Sequence, residues 1–235
     1  TRALLGGRRP FVLTRAAFSG IQRYSAIWTG DNVPSDDHMM LAVRLVNSMG
    51  LSGMAFAGAD IGGFTGDATP ALFSRWMTIG TYTPFFRNHK QFGRARQEPW
   101  SMGEEVETVA KAAIEQRYRL LPYIYSAFDQ TARTGIPVSR VLAIEFGRDE
   151  HVFWYRYQHQ YQFGDHLLVA PLPSTESYAD VYLPAGTWYR LSDGTRYDGG
   201  RSVTVSAPTR EPRPTAAITA DTRSINRKTS SDVGV

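Results

Sequence analysis

The chain has 235 residues, 42% of them hydrophobic and 12% aromatic, which supplies apolar matter for one large domain or one and a half smaller ones. It contains no cysteine, so a disulfide framework, a thiolate metal site and a cysteine nucleophile are all excluded. The formal net charge of +4 is scattered, with no basic run beyond Arg8-Arg9, and no apolar stretch reaches the roughly 18 residues of a membrane span. The expected partners therefore include no nucleic acid and no membrane.

The chain begins at Thr1 without a Met and with nothing that resembles a signal peptide, which reads as a start partway through a longer polypeptide. Pro10 to Arg15 reads as a short buried strand ending in a charge, and Tyr24 to Trp28 as a second, stopped by Gly30-Asp31. Ser35-Asp36-Asp37 can cap a helix from about His38 to Met49, with Met39, Leu41, Ala42, Leu45, Val46 and Met49 turned inward and Gly50 ending it. Met54 to Ala57 is the next strand, and Pro70 opens a helix through about Ile79. Tyr82 to Phe86 leads into Arg87 and His89. A long amphipathic helix then spans about Gly103 to Gly135, with a break expected near Pro122. Strand and helix in alternation imply a parallel sheet.

The register changes after Pro137. Short alternating runs at Val138–Ile144, His166–Ala170, Asp180–Leu183 and Val203–Val205, punctuated by Gly and Pro, predict an antiparallel β domain. From Pro208 the apolar alternation vanishes, and residues 208–235 read as a disordered or divergent tail. The expected organisation is α/β: residues 1–137 as part of a barrel, 138–207 as an antiparallel, β-sandwich-like domain, and the tail.

Three polar motifs follow strand-like runs: Trp28-Thr29-Gly30-Asp31-Asn32, Gly58-Ala59-Asp60-Ile61-Gly62-Gly63-Phe64 and Phe86-Arg87-Asn88-His89. Asp31 and Asp60 lie 29 residues apart, as do Asp60 and His89. A (β/α)₈ barrel spends about 250 residues on eight units, so these groups should meet at the strand ends where barrel enzymes do chemistry. Only four strands of that kind can be counted. A closed barrel would need four more, before Thr1.

Carboxylates, an arginine, a histidine and aromatics gathered at one face suit sugar hydrolysis, which needs a proton donor and a second carboxylate. Asp31, beside Trp28, reads as a candidate acid whose pKa an apolar wall could raise, or as a helix cap. Asp60 sits among glycines that let a ligand approach, or serves as a turn aspartate; the loop does not fit a dinucleotide fingerprint. Arg87 and His89 can hydrogen-bond sugar hydroxyls or form a structural ion pair. Phe64, Trp76, Phe85 and Phe86 fit a core as well as a sugar platform. His159 and His166 lack metal-ligand spacing and no H-E-x-x-H occurs, so no metal site is expected.

Over about residues 9–206 the chain resembles the glycoside hydrolase family 31 α-glucosidases. The resemblance rests on the three motifs above and on Thr14-Arg15-Ala16-Ala17-Phe18, Gln97-Glu98-Pro99-Trp100, Arg117-Tyr118-Arg119-Leu120-Leu121-Pro122-Tyr123 and Phe163-Gly164-Asp165-His166 onward. It implies a (β/α)₈ TIM barrel of which this chain carries about strands five to eight, the C-terminal half. It also implies Asp31 as general acid/base, Trp28 as a pocket wall, and Arg15, Asp60, Phe64, Arg87 and His89 as the substrate-binding set. The family nucleophile, an aspartate in a W-x-D-M-N-E type motif upstream, has no counterpart here. The resemblance thus implies a fragment of a retaining glycosidase acting on terminal non-reducing α-linked glucose, with no cofactor. Its expected partners are an α-glucoside oligosaccharide and the missing N-terminal half of the barrel. The rivals are an α-xylosidase or other family specificity, and an inactive glycan-binding fragment.

Overall fold

A computed structural model describes residues 4–209 and 216–220. Its first part is a parallel array: β1 (Leu13–Thr14), β2 (Ala26–Trp28), α1 (Asp36–Leu51), β3 (Ala57–Gly58), β4 (Asp60–Ile61), α2 (Pro70–Gly80) and β5 (Arg87–Asn88). Leu13 pairs with Ala26, Ile27 with Ala57, and Asp60 with Arg87, all in parallel. The Phe85 amide donates to Ala57 O at 3.1 Å, so β3 and β4 act as one strand interrupted at Ala59. Four neighbouring barrel strands result among the described residues. Two helices follow, α3 (Glu104–Arg119) and α4 (Leu121–Thr134), broken where Pro122 has no amide to continue the ladder.

Helix α1 is capped by Ser35, whose Oγ accepts the His38 amide at 3.2 Å, with Asp36 and Asp37 in the favourable first turn. Its buried face is Met39, Met40, Ala42, Val43, Val46, Asn47 and Gly50. Leu41 and Leu45, expected inside, lie on the neighbouring face and are partly exposed. Gly50 does not end the helix. A Cβ there would stand 2.8 Å from Ser139 O, so the glycine lets the helix approach the strand beyond it.

The second part comprises β6 (Ser139–Val141), α5 (Ala143–Phe146), β7 (Tyr161–Phe163), β8 (Leu167–Ala170), β9 (Tyr178–Leu183), β10 (Thr187–Arg190), β11 (Arg196–Asp198), β12 (Arg201–Ser206) and β13 (Ala216–Ala220). One antiparallel sheet runs β11-β10-β13-β8-β7-β6, and β12 pairs with β9. Leu168, Trp188 and Ile218 from the first sheet meet Val181, Leu183 and Val205 from the second, giving a sandwich core. The expected tail is corrected at β13. Ala216–Ala220 fills the slot between β8 and β10, where backbone pairing on both sides outweighs the low strand preference of alanine. The rest of 208–235 beyond Thr209 lies outside the described residues.

The two parts share one core. Val138, Tyr161, Phe163 and Val169 pack with Phe73, Trp76 and Ala110 of the helices. Arg75 of α2 is fully buried, and its Nη2 donates to Glu176 O at 2.7 Å and Ala207 O at 2.8 Å. A buried guanidinium bonded to two carbonyls of the sandwich fixes how the barrel strands sit against it.

Candidate active site

Arg15 follows β1, Asp31 follows β2, Asp60 lies in β4 and His89 follows β5. Parallel pairing brings all four to the carboxyl ends of adjacent strands, the face that carries barrel chemistry.

Asp60 is the buried centre, with no exposed surface. Arg87, its register partner, donates through Nε to Oδ1 at 2.8 Å and also through Nη2 to the same oxygen. Oδ2 is left buried with no hydrogen-bond partner among the described residues. Burial raises the Asp60 pKa above the ordinary value, against the lowering pull of Arg87 and then His89. A buried carboxylate with one oxygen clamped and the other lacking a partner costs free energy, which marks Asp60 as a candidate functional group.

Around it the aromatics take defined roles. The Arg87 guanidinium stands 5.0 Å from the centre of the Trp28 ring and 5.7 Å from that of Phe85. Trp28 thus orients the Asp60 clamp. His89 stacks on Phe64 with centroids 5.3 Å apart and planes at 23°. Phe85 and Phe86 are half-buried, whereas Trp76 is a core residue of α2. Asp31 is about half exposed and faces Arg15 across 3.6 Å. It does not cap α1, because Ser35 does.

Two residues outside the expected set build the site. Asn32 is buried; its Nδ2 donates to Asp60 O at 3.0 Å and its Oδ1 accepts the Phe64 amide at 3.0 Å. Gln97, also buried, donates through Nε2 to Ile61 O at 2.9 Å and to Asn88 Oδ1 at 3.0 Å, tying β4 to β5. The loop between Asp60 and Phe64 requires its glycines: Gly62 and Gly63 have φ of 79° and 84°, and a Cβ on Gly63 would lie 2.6 Å from Pro34 N. Asn32 and Gln97 both stand inside the motifs quoted above, but only the fold turns an amide side chain into a brace.

The glycosyl hydrolase family 31 TIM-barrel domain matches residues 1–127, and the family's C-terminal domain matches residues 135–218. The chain belongs to glycoside hydrolase family 31. Among family members, α-glucosidase 2 of Bacillus thermoamyloliquefaciens is 43% identical over 208 residues, which is 88% of this chain and 26% of that protein. A probable glucan 1,3-α-glucosidase of Arabidopsis thaliana is 43% identical over 205 residues, 86% of this chain and 22% of that protein. A family 31 dextranase of Flavobacterium johnsoniae, solved with isomaltotriose, superposes with a TM-score of 0.86 at 33% identity, covering 93% of this chain and 28% of the dextranase. The chain therefore spans about a quarter of the length of these relatives.

Proposed function

We propose that this chain is the acid/base half of a retaining α-glucosidase. Asp60 supports the reading most directly: a fully buried carboxylate at a strand end, with Arg87 on one oxygen and nothing on the other, is built to hold a sugar hydroxyl. His89 on Phe64 and Arg15 beside Asp31 extend that grip around one ring. The relatives named as α-glucosidases and the isomaltotriose-bound dextranase favour an α-linked glucoside.

In this reading Asp31 delivers its proton to the glycosidic oxygen as the C1–O bond breaks and a nucleophilic carboxylate bonds to C1. Asp31, now ionised, takes a proton from water, whose oxygen attacks C1 and releases the carboxylate. Its half-exposed position gives water access. Asp60 is a sugar ligand and not the nucleophile, because Arg87 and burial fix it beneath the site.

The nucleophile and the remaining barrel strands belong to the part of the relatives' length that this sequence does not span. Phe11, Phe56 and Phe85 form an aromatic cluster with centroids 5.7 to 6.2 Å apart, yet Phe11 is 63% exposed. An exposed ring in such a cluster marks a surface that further structure would cover. The test is co-expression with the N-terminal half-barrel of a family α-glucosidase and assay on an aryl α-glucoside. Retaining hydrolysis by the pair, absent from either half, is expected; an active single chain would overturn the division of labour.

A further inference from the structure

A cleft of about 660 Å³ separates α1 from the sandwich, and it contains none of Arg15, Asp31, Asp60 or His89. Leu41, which the helical pattern turned inward, forms one wall with Arg44; Tyr155, His159 and Glu176 form the other. Clefts between structural units that combine an apolar floor with a few placed polar groups are the common form of ligand sites.

The chemistry of the walls selects among ligands. Arg44 and Arg156 face three carboxylates, Asp37, Glu176 and Asp180, and Arg156 is already paired with Asp180, so charges of both signs line the cleft with one negative in excess. A strongly charged ligand gains nothing from such a mixture. Arg44 donates to Gln158 Oε1 at 3.3 Å, while its buried Nε has no hydrogen-bond partner among the described residues. Burial, and then the charge of Arg44, hold His159 below the usual histidine value, so it offers one donor and one acceptor at neutral pH. Tyr155 is 81% exposed, a large ring left in water. A ring platform beside hydrogen-bonding side chains, in a cleft of mixed charge, matches a pyranose: flat apolar face, hydroxyl edge.

We infer that this cleft is a second carbohydrate site, taking a neutral oligosaccharide segment on Tyr155 with Arg44 and His159 on its hydroxyls. It goes beyond the strand-end site and stands without it. It also begins one helical turn from that site: His38 lines the cleft, and its Nδ1 accepts the amide of Val33, two residues past Asp31.

Isothermal titration of the full chain with isomaltotriose tests this, alongside Tyr155→Ala, Arg44→Leu and His89→Ala. The exposure of Tyr155 means that its removal leaves the core intact. The cleft component is expected to weaken about tenfold in Tyr155→Ala and to fall in Arg44→Leu, as for loss of an anchoring side chain, while His89→Ala retains it. Wild-type isotherms from both cleft variants would overturn the inference. Wild-type binding in His89→Ala with loss in the cleft variants would instead count against the strand-end reading alone.

Discussion

Asn32 holds Phe64 in place from across the site: its Oδ1 and its backbone oxygen both accept the Phe64 amide, at 3.0 and 2.9 Å, while its Nδ2 reaches Asp60 O. The residue after the acid/base candidate thereby sets the loop that carries the sugar-binding candidates. Asn32→Ala removes two buried side-chain bonds and should destabilise the chain by about 2 kcal/mol. Asn32→Asp sets a buried carboxylate oxygen against the Asp60 carbonyl and should destabilise at least as much as alanine. Urea unfolding of the three proteins measures the order.

Arg87 and Asp60 make a stability prediction with a definite sign. The folded-state pKa of Asp60 is raised above the ordinary 3.8, so the native state binds more protons there than the unfolded chain. Stability from this group is therefore highest in acid and declines as pH rises from about the unfolded value through the folded one. Asp60→Asn removes the decline, so relative to wild type it should gain stability between pH 4 and 7, as measured by thermal unfolding across that range (about 4 and 7 bracket the usual carboxyl titration). Removing the cation acts oppositely. Arg87→Met leaves a buried charge unpaired and should cost about 3–5 kcal/mol at neutral pH, less in acid.

Gly63→Ala should be more damaging than its size suggests. The added methyl meets Pro34 backbone at 2.6 Å in a left-handed conformation. Left-handed backbone alone costs about 1–2 kcal/mol, and the clash displaces Pro34 and with it the segment from Asp31. Weaker isomaltotriose binding together with a lower melting temperature is expected, against Gly93→Ala as a control where no atom lies within 4 Å of the added Cβ.

The open barrel edge has a physical consequence. Among the described residues β1 and β5 each pair with a strand on one side only, and Phe11 and Phe56 are exposed. The isolated chain should self-associate or aggregate, and Phe11→Ser should reduce this. Analytical ultracentrifugation reads it: a monodisperse wild-type monomer with one high-temperature transition would contradict the half-barrel account.

Much of this was legible because barrel units repeat at a fixed interval. The 29-residue spacing of Asp31, Asp60 and His89 follows from one strand and one helix per unit, so strand-end chemistry announces itself in sequence. Side-chain partners did not. Trp28 reads as a wall for Asp31, yet its ring serves Arg87, a contact set by strands 59 residues apart in sequence. Leu41 reads as core because helical periodicity marks an apolar stripe without saying which edge of it meets a neighbour. β13 escaped notice because Ala216-Ala217-Ile218-Thr219-Ala220 carries one large apolar side chain, and its place is decided by the two strands flanking it. Gln97 and Asn32 lay in plain view, but amide braces have no sequence period.

The assignment of Asp31 as proton donor, with Asp60 as ligand, is tested most directly by leaving-group dependence in the reassembled enzyme. Asp31→Ala should lose about 10²–10⁴-fold on maltose, whose departing sugar needs a proton, and far less on a dinitrophenyl α-glucoside, which does not. Azide should restore much of the lost turnover on the activated substrate, and Asp60→Ala should lose on both substrates alike. Equal losses on maltose and the activated glucoside in Asp31→Ala would contradict the account.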